Sequence, residues 1–168
     1  MNDLIDVAPR VILIGFGATA IMDLWLLLLK ALGVPTLNFA LIGRWAGHWR
    51  HGIWMHKAIA TAPAMRGELA LGWVVHYAVG IGYAGLAVAL FGIEWMHSPN
   101  LLPAVAMGMA TVAAPWLVMQ PAMGAGIAAS KTPAPGRNRI RSLVNHTVFG
   151  GGLFLSALAV TRLQGAAS

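Results

Sequence analysis

Four long apolar stretches constrain what this chain can fold into. They run from about residue 11 to 32, 68 to 93, 101 to 129 and 140 to 163. Each is at least as long as the roughly 20 residues that a helix needs to cross the hydrocarbon core of a bilayer. Because the runs are continuously apolar and do not alternate, they predict helices, not barrel strands. We therefore predict an all-α, polytopic membrane protein with four transmembrane helices, a single domain over residues 1–168.

The composition agrees with this prediction. The chain is 58% hydrophobic and 10% charged, whereas soluble domains carry about 25% charged residues. The absence of cysteine excludes disulfides, thiolate metal sites and cysteine nucleophiles. The net charge of +6 comes from basic residues in the connections, where they fit contact with anionic lipid. The sequence shows no strongly basic helix and no platform for stacking nucleic-acid bases, so we expect the lipid bilayer and not nucleic acid as the partner.

The distribution of lysine and arginine predicts the orientation of the chain. Both are absent from the second connection, "GIEWMHSPN", and frequent in or beside the first and third. The positive-inside rule therefore places the first and third connections in the cytoplasm and both termini outside. The basic residues of these two connections are Lys30, Arg44, Arg50, Lys57, Arg66, Lys131, Arg137, Arg139 and Arg141.

The first connection contains an amphipathic segment over about residues 37–54, "LNFALIGRWAGHWRHGIW". At 100° per residue its apolar side chains share one face and its basic side chains the other. Tryptophans beside basic residues are typical of a helix at the lipid headgroups, so we predict an interfacial helix. The alternative is a short cytoplasmic helix packed on the bundle. The apolar face holds Leu41, Ile42, Trp45, Trp49 and Ile53, and the polar face holds Arg44, His48 and His51.

The third apolar stretch is interrupted by Pro115 and Pro121, with Gln120 beside the second proline. Proline has no N–H and leaves a carbonyl of the preceding turn without its helical partner. Within a membrane such carbonyls are tolerated when neighbouring side chains or water satisfy them. The prolines therefore indicate either a bend for packing or a kink that opens a polar cavity.

Five polar residues inside the apolar stretches need explaining: Asp23, His76, Gln120, Asn145 and His146. A charged side chain at membrane depth costs about 2.5–3.5 kcal/mol on insertion scales, and such residues usually face the protein interior. With a rise of about 1.5 Å per residue, the group falls in the cytoplasmic half, within one to two helical turns of a common level. We therefore expect these side chains to meet inside the bundle.

Three functions remain open for this group. Asp23, His76 and His146 could bind or relay a cation, either a proton or a divalent transition metal. His76 and His146 could instead be axial ligands of non-covalent haem b, or the polar end of a quinone pocket. The same residues could also only hydrogen-bond one another and hold helices together. Common enzyme motifs are absent, so a non-enzymatic protein is expected. One bundle of 17.7 kDa offers little room for a substrate path, so a homo-oligomer or larger membrane complex is expected. Supporting roles are predicted for Gln120, Asn145, Tyr83 and His56.

Several strings together resemble a known family. They are "IMDLWLLLL", "VPTLNFALIGRWAGH", "ALGWVVHYAVGIGYA", "MQPAMGAGIAASKTP" and "RSLVNHTVFG". In combination they resemble the small bacterial inner-membrane proteins grouped as domain of unknown function 2938, over about residues 11–160. The resemblance implies a four-helix protein of the bacterial cytoplasmic membrane, with periplasmic termini if the charge rule holds. It implies no catalytic or ligand residues, and it does not decide among the three functions.

Overall fold

Four long helices form the body of the protein. The computed structural model describes the backbone of residues 2–165 and the side chains of residues 7–163. The helices long and apolar enough to cross a membrane are Val7–Ala31, Glu68–Phe91, Leu101–Ala122 and Pro135–Leu163. Only 22–33% of their most apolar windows is buried, so most of this apolar surface points outward, as lipid contact requires. The prediction of an all-helical protein with four candidate membrane spans is confirmed.

Asparagines and glycines set several of the helix ends. The side chains of Asn38 and Asn100 accept hydrogen bonds from Ala40 N and Leu102 N, both at 3.0 Å, and begin the helices that follow them. Gly67 and Gly92, with positive φ, flank the second span. The α-helices are α1 Asn2–Ala31, α2 Phe39–His48, α3 Glu68–Phe91, α4 Glu94–His97, α5 Leu101–Thr111, α6 Gln120–Ala122 and α7 Pro135–Gly165.

The long helices pack in a row, with α1 between α3 and α7, and α7 between α1 and α5. Glycines permit the close contacts. A Cβ atom on Gly80 of α3 would lie 2.0 Å from Thr19 Oγ1 of α1, and one on Gly108 of α5 would lie 2.4 Å from the His146 carbonyl oxygen. In contrast, α3 and α5 contact each other at few positions. Neighbouring helices of the row are therefore closely packed, and space is left between α3 and α5, which stand at its two ends.

The third span is broken by its prolines and is shorter than the predicted 101–129. After α5 the chain makes a π-helical turn over Pro115–Met119 and then the short α6, which ends at Ala122. Gly124 follows with φ of 91°, and a Cβ there would lie 2.1 Å from the carbonyl oxygen of Lys57. The apolar residues beyond Ala122 therefore form a loop against the first connection, where His56 N donates to Ala122 O at 2.7 Å.

The amphipathic segment forms a helix only over Phe39–His48, followed by a 3₁₀ turn at Trp49–His51. This helix, α2, packs tightly along the first turns of α3. A Cβ on Gly43 would lie 1.7 Å from the Glu68 carbonyl oxygen, which explains a glycine in a helix that it otherwise weakens. His48, assigned to the polar face, is buried. The position of α2 at the lipid headgroups stays a prediction.

Candidate functional site

Asp23 of α1 and His76 of α3 meet inside the helical assembly. His76 Nε2 lies 2.9 Å from Asp23 Oδ1, and the side chains are 11% and 13% exposed. The other carboxylate oxygen, Oδ2, accepts a hydrogen bond from the Tyr77 hydroxyl at 2.8 Å. The rings of Phe39 and Trp73 lie against the imidazole, with centroids at 4.6 and 5.9 Å. Both Asp23 oxygens are thus hydrogen-bonded, and His76 keeps only Nδ1 for another partner.

His146 of α7 is held separately, by the third span. Its Nδ1 lies 2.8 Å from Thr111 Oγ1, and the Thr111 hydroxyl also donates to the Gly108 carbonyl. Because the Thr111 proton is used on Gly108, we assign the shared proton of the other bond to His146 Nδ1. The lone pair of a neutral His146 is then on Nε2. Next to it, Asn145 Oδ1 accepts a hydrogen bond from Trp25 Nε1 at 3.0 Å, which leaves its amide N–H groups as donors.

His76 and His146 line the same cavity. It has a volume of about 540 Å³ and occupies the space between α3, the π-helical turn, α1 and α7, closed at one end by the loop before α2. Most of its lining is apolar. Gln120 Oε1, on its wall, is buried and has no hydrogen-bond partner among the described residues. The polar residues of the lining are Thr19, Thr36, His76, Tyr83, Gln120, Asn138, Arg141, Ser142, Asn145 and His146.

The cavity lies toward one end of the spans. Tyr83 and Phe149, whose ring centroids are 6.1 Å apart, mark its inner limit. Beyond them, toward α4, a dry cluster that includes Met96, Met107 and Leu153 fills the interior, with side chains 0–8% exposed. The polar lining of the cavity therefore does not continue past this layer in the described interior.

The structure brings together most of the residues predicted for the site. Asp23 bonds His76, while His146, Gln120, Asn145 and Tyr83 line the cavity with His76. His56 does not join them, because the first connection places it beside His48. Asp23, His76 and His146 do not form a three-ligand cluster: within the described side chains, no group of three or more His, Asp or Glu residues is arranged to hold a metal ion.

Sequence reasoning missed Tyr77 and Thr111. Tyr77 donates to the carboxylate that His76 contacts, and Thr111 forms a hydrogen bond with His146. Tyr77 follows His76 directly, and a buried carboxylate with two oxygens needs a second donor, so this neighbour was an available signal. Thr111 gave no such signal. Its contact with His146 depends on α5 packing against α7 through Gly108 and Gly150, which periodicity within one span does not reveal.

Comparison with known proteins gives a family but no function. A family model described as "Protein of unknown function (DUF2938)" matches residues 12–160. No curated protein and no solved structure matches the chain.

Proposed function

Because the chain belongs to this family of proteins of unknown function, we propose its function from the geometry of the cavity. The protein binds the polar end of an amphipathic molecule drawn from the bilayer, and the Asp23–His76 pair takes up a proton from solution, or releases one to it, when that polar end binds. The observation that carries the proposal is the 2.9 Å contact between His76 Nε2 and Asp23 Oδ1 at the wall of a largely apolar cavity. Pockets that bind small molecules have volumes of about 300–1,000 Å³ and combine apolar walls with a few convergent polar groups.

A proton fits the Asp23–His76 pair better than a divalent metal does. Imidazole exchanges protons near neutral pH, and a carboxylate that accepts its N–H fixes the ring orientation. A metal bound by Asp23 would compete with the hydrogen bonds that both carboxylate oxygens already accept. His146 bonds to Thr111 and not to Asp23, and no group of three or more His, Asp or Glu residues among the described side chains is arranged to hold a metal ion.

The hydrogen-bonding groups of the cavity favour a ring that bears carbonyl or hydroxyl oxygens, such as a quinone or quinol. His146 Nε2 and Gln120 Oε1 are acceptors for a hydroxyl, and the Asn145 amide is a donor for a carbonyl. The apolar remainder of the cavity suits a hydrocarbon tail. Haem is less well supported, because His76 Nε2, which would bind the iron, already bonds Asp23 Oδ1 at 2.9 Å.

The proposed setting is the bacterial cytoplasmic membrane. With nine lysines and arginines in or beside the first and third connections and none in the second, the charge rule puts the cavity in the cytoplasmic half and both termini in the periplasm. A chain of 17.7 kDa with a one-sided cavity fits a binding protein in a homo-oligomer or larger membrane complex better than a complete transporter.

Titration with a short-chain benzoquinone and its quinol tests the proposed function. Trp45 lines the cavity, so binding should quench tryptophan fluorescence in a saturable way. A pH electrode in weakly buffered detergent solution should record a proton change on binding. Replacing His76 with Gln or Asp23 with Asn removes one titratable group and disturbs the hydrogen bond of the pair, so we expect affinity to fall about tenfold and the proton change to disappear.

The matched control is His97→Gln, because His97 lies in the second connection and does not line the cavity. This variant should bind the quinone and exchange protons as the unmodified protein does. Absence of saturable quenching would contradict the proposal, as would equal binding and proton exchange in folded His76→Gln protein. Circular dichroism of each variant establishes that it is folded.

A further inference from the structure

A second pocket lies at the end of α2 and shares no lining residue with the cavity described above. It has a volume of about 450 Å³ and is formed by the 3₁₀ turn after α2 and the chain leading to α3. Its lining is rich in groups that carry or accept positive charge. These are His48, Arg50, His51, His56 and Arg66.

The carboxylate nearest to this pocket along the chain, Glu68, accepts a hydrogen bond from the backbone N–H of the lining residue Met65 at 2.9 Å and is already paired with an arginine. The sequence contains no aspartate or glutamate between Asp23 and Glu68. Glu68 is taken by Arg44, which donates to its two oxygens at 2.8 Å each, and this hydrogen bonding raises the pKa of Arg44. Arg50 and Arg66, both exposed, form no salt bridge within the described side chains.

A partly buried histidine pair supplies a further donor beside the pocket. His48 Nδ1 and His56 Nε2 lie 2.8 Å apart. His56 Nδ1 is buried without a partner among the described residues, and an unpaired lone pair there is less costly than an unpaired N–H. We therefore assign the shared proton to His56 Nε2, so that His48 accepts it and carries its own proton on Nε2. His48 lines the pocket, and this N–H forms no hydrogen bond within the described part of the chain.

We propose that this pocket binds a phosphate-type oxyanion through Arg50, Arg66 and the imidazole donors. Guanidinium groups match the geometry of phosphate oxygens and bond them in pairs. The phosphate could belong to a lipid headgroup or be free in solution. The surroundings favour the lipid, because Trp54 is 56% exposed and Met55 65% exposed, next to Trp49 stacked on Trp54 at 5.2 Å. Exposed tryptophans beside basic residues are characteristic of the headgroup region.

The experiment titrates the purified protein in neutral detergent with three probes, with tryptophan fluorescence as the readout. The probes are inorganic phosphate, dihexanoyl phosphatidylglycerol and dihexanoyl phosphatidylcholine. Saturable binding of phosphatidylglycerol but not of phosphate supports the lipid source, and binding of inorganic phosphate supports the free anion. Binding of neither overturns the proposal, as does equal binding of the zwitterionic phosphatidylcholine, which carries no net negative charge.

The double variant Arg50→Gln and Arg66→Gln should weaken anion binding at least about tenfold, because each arginine supplies a charge-assisted hydrogen bond. Both side chains are exposed, so the substitutions should leave the fold intact. Lys57→Gln is the control: it removes one positive charge from the same connection, and Lys57 does not line the pocket. An equal loss of affinity in the control would show a general charge effect and overturn the proposal.

Discussion

Asp23 is the residue on which the polar interior depends most. Its position within α1 puts a carboxylate at membrane depth, at an insertion cost of about 2.5–3.5 kcal/mol. The structure offsets this cost by giving each carboxylate oxygen a donor, His76 Nε2 at 2.9 Å and the Tyr77 hydroxyl at 2.8 Å. Thr19 and Gly15, one and two turns earlier on α1, face α3 closely enough for the two helices to bring these groups together.

The tyrosine contribution can be measured with a matched pair. Tyr77→Phe removes one of the two donors to Asp23 and should lower the free energy of unfolding by about 1–2 kcal/mol. Tyr83→Phe removes a hydroxyl whose only acceptor among the described residues, Thr111 O, is 3.4 Å away, a long and weak hydrogen bond. We expect it to change stability much less. Denaturant titration in mixed micelles gives both values, and a larger loss in Tyr83→Phe would contradict this account.

Polar residues inside apolar runs could be identified from the sequence, because placing a polar side chain in lipid costs free energy. The same cost predicts that these side chains face the protein interior. This led to the expectation that His76, His146 and Gln120 face the interior, and all three line one cavity. Their individual partners could not be predicted, because they depend on how neighbouring helices are rotated. The same limit applies to His56. It lies in the first connection, and nothing in the sequence indicated that it would pair with His48 at 2.8 Å.

At the scale of elements, glycines determine which helices touch. Gly108 and Gly150 let α5 and α7 approach each other, and Gly43 and Gly72 do the same for α2 and α3. Within a bilayer there is no hydrophobic drive between helices, so close backbone packing has to supply much of the association energy. The weak helix propensity of glycine is accepted at these positions because a side chain would separate the helices.

Two adjacent glycines of α7 differ in how closely they contact α5, so substituting each of them tests this packing. A Cβ on Gly150 would lie 2.7 Å from Ala104 O and 2.8 Å from Val105 Cα of α5, whereas a Cβ on Gly151 has nothing within 4 Å. Gly150→Ala should therefore destabilise the protein by about 1–3 kcal/mol through overpacking. Gly151→Ala should be neutral or slightly stabilising, since alanine favours helix. Thermal unfolding in detergent compares the two, and equal stability would contradict the described packing of α5 on α7.

The four spans could be predicted from apolar length alone, since only a helix satisfies its backbone in lipid. The end of the third span could not. Residues 123–129 are apolar, yet they form a loop because Gly124 and Gly126 adopt positive φ and the first connection pairs with this segment. Hydropathy does not register a tertiary contact of this kind. A helix within the amphipathic segment could be predicted from its periodicity, but its tight contact with α3 through Gly43 could not.

The whole molecule is asymmetric along the spans. One half holds the cavity with its polar lining and the second pocket, which Arg50 and Arg66 line. The other half is filled by the apolar cluster around Met96 and Leu153. This asymmetry explains why polar residues enter the membrane region without forming a continuous path across it. A ligand or proton would reach the Asp23–His76 pair from the bilayer or from the side of the first and third connections.

Side-specific labelling of single cysteines tests this one-sided cavity most directly. The chain has no cysteine of its own, so Ser142→Cys on the cavity wall, Ser130→Cys in the third connection and Ser98→Cys in the second can each be followed alone. In oriented membrane vesicles with a water-soluble maleimide, the account predicts that Ser142→Cys and Ser130→Cys react from one side and Ser98→Cys from the other. Reaction of Ser142→Cys from the same side as Ser98→Cys would contradict the account.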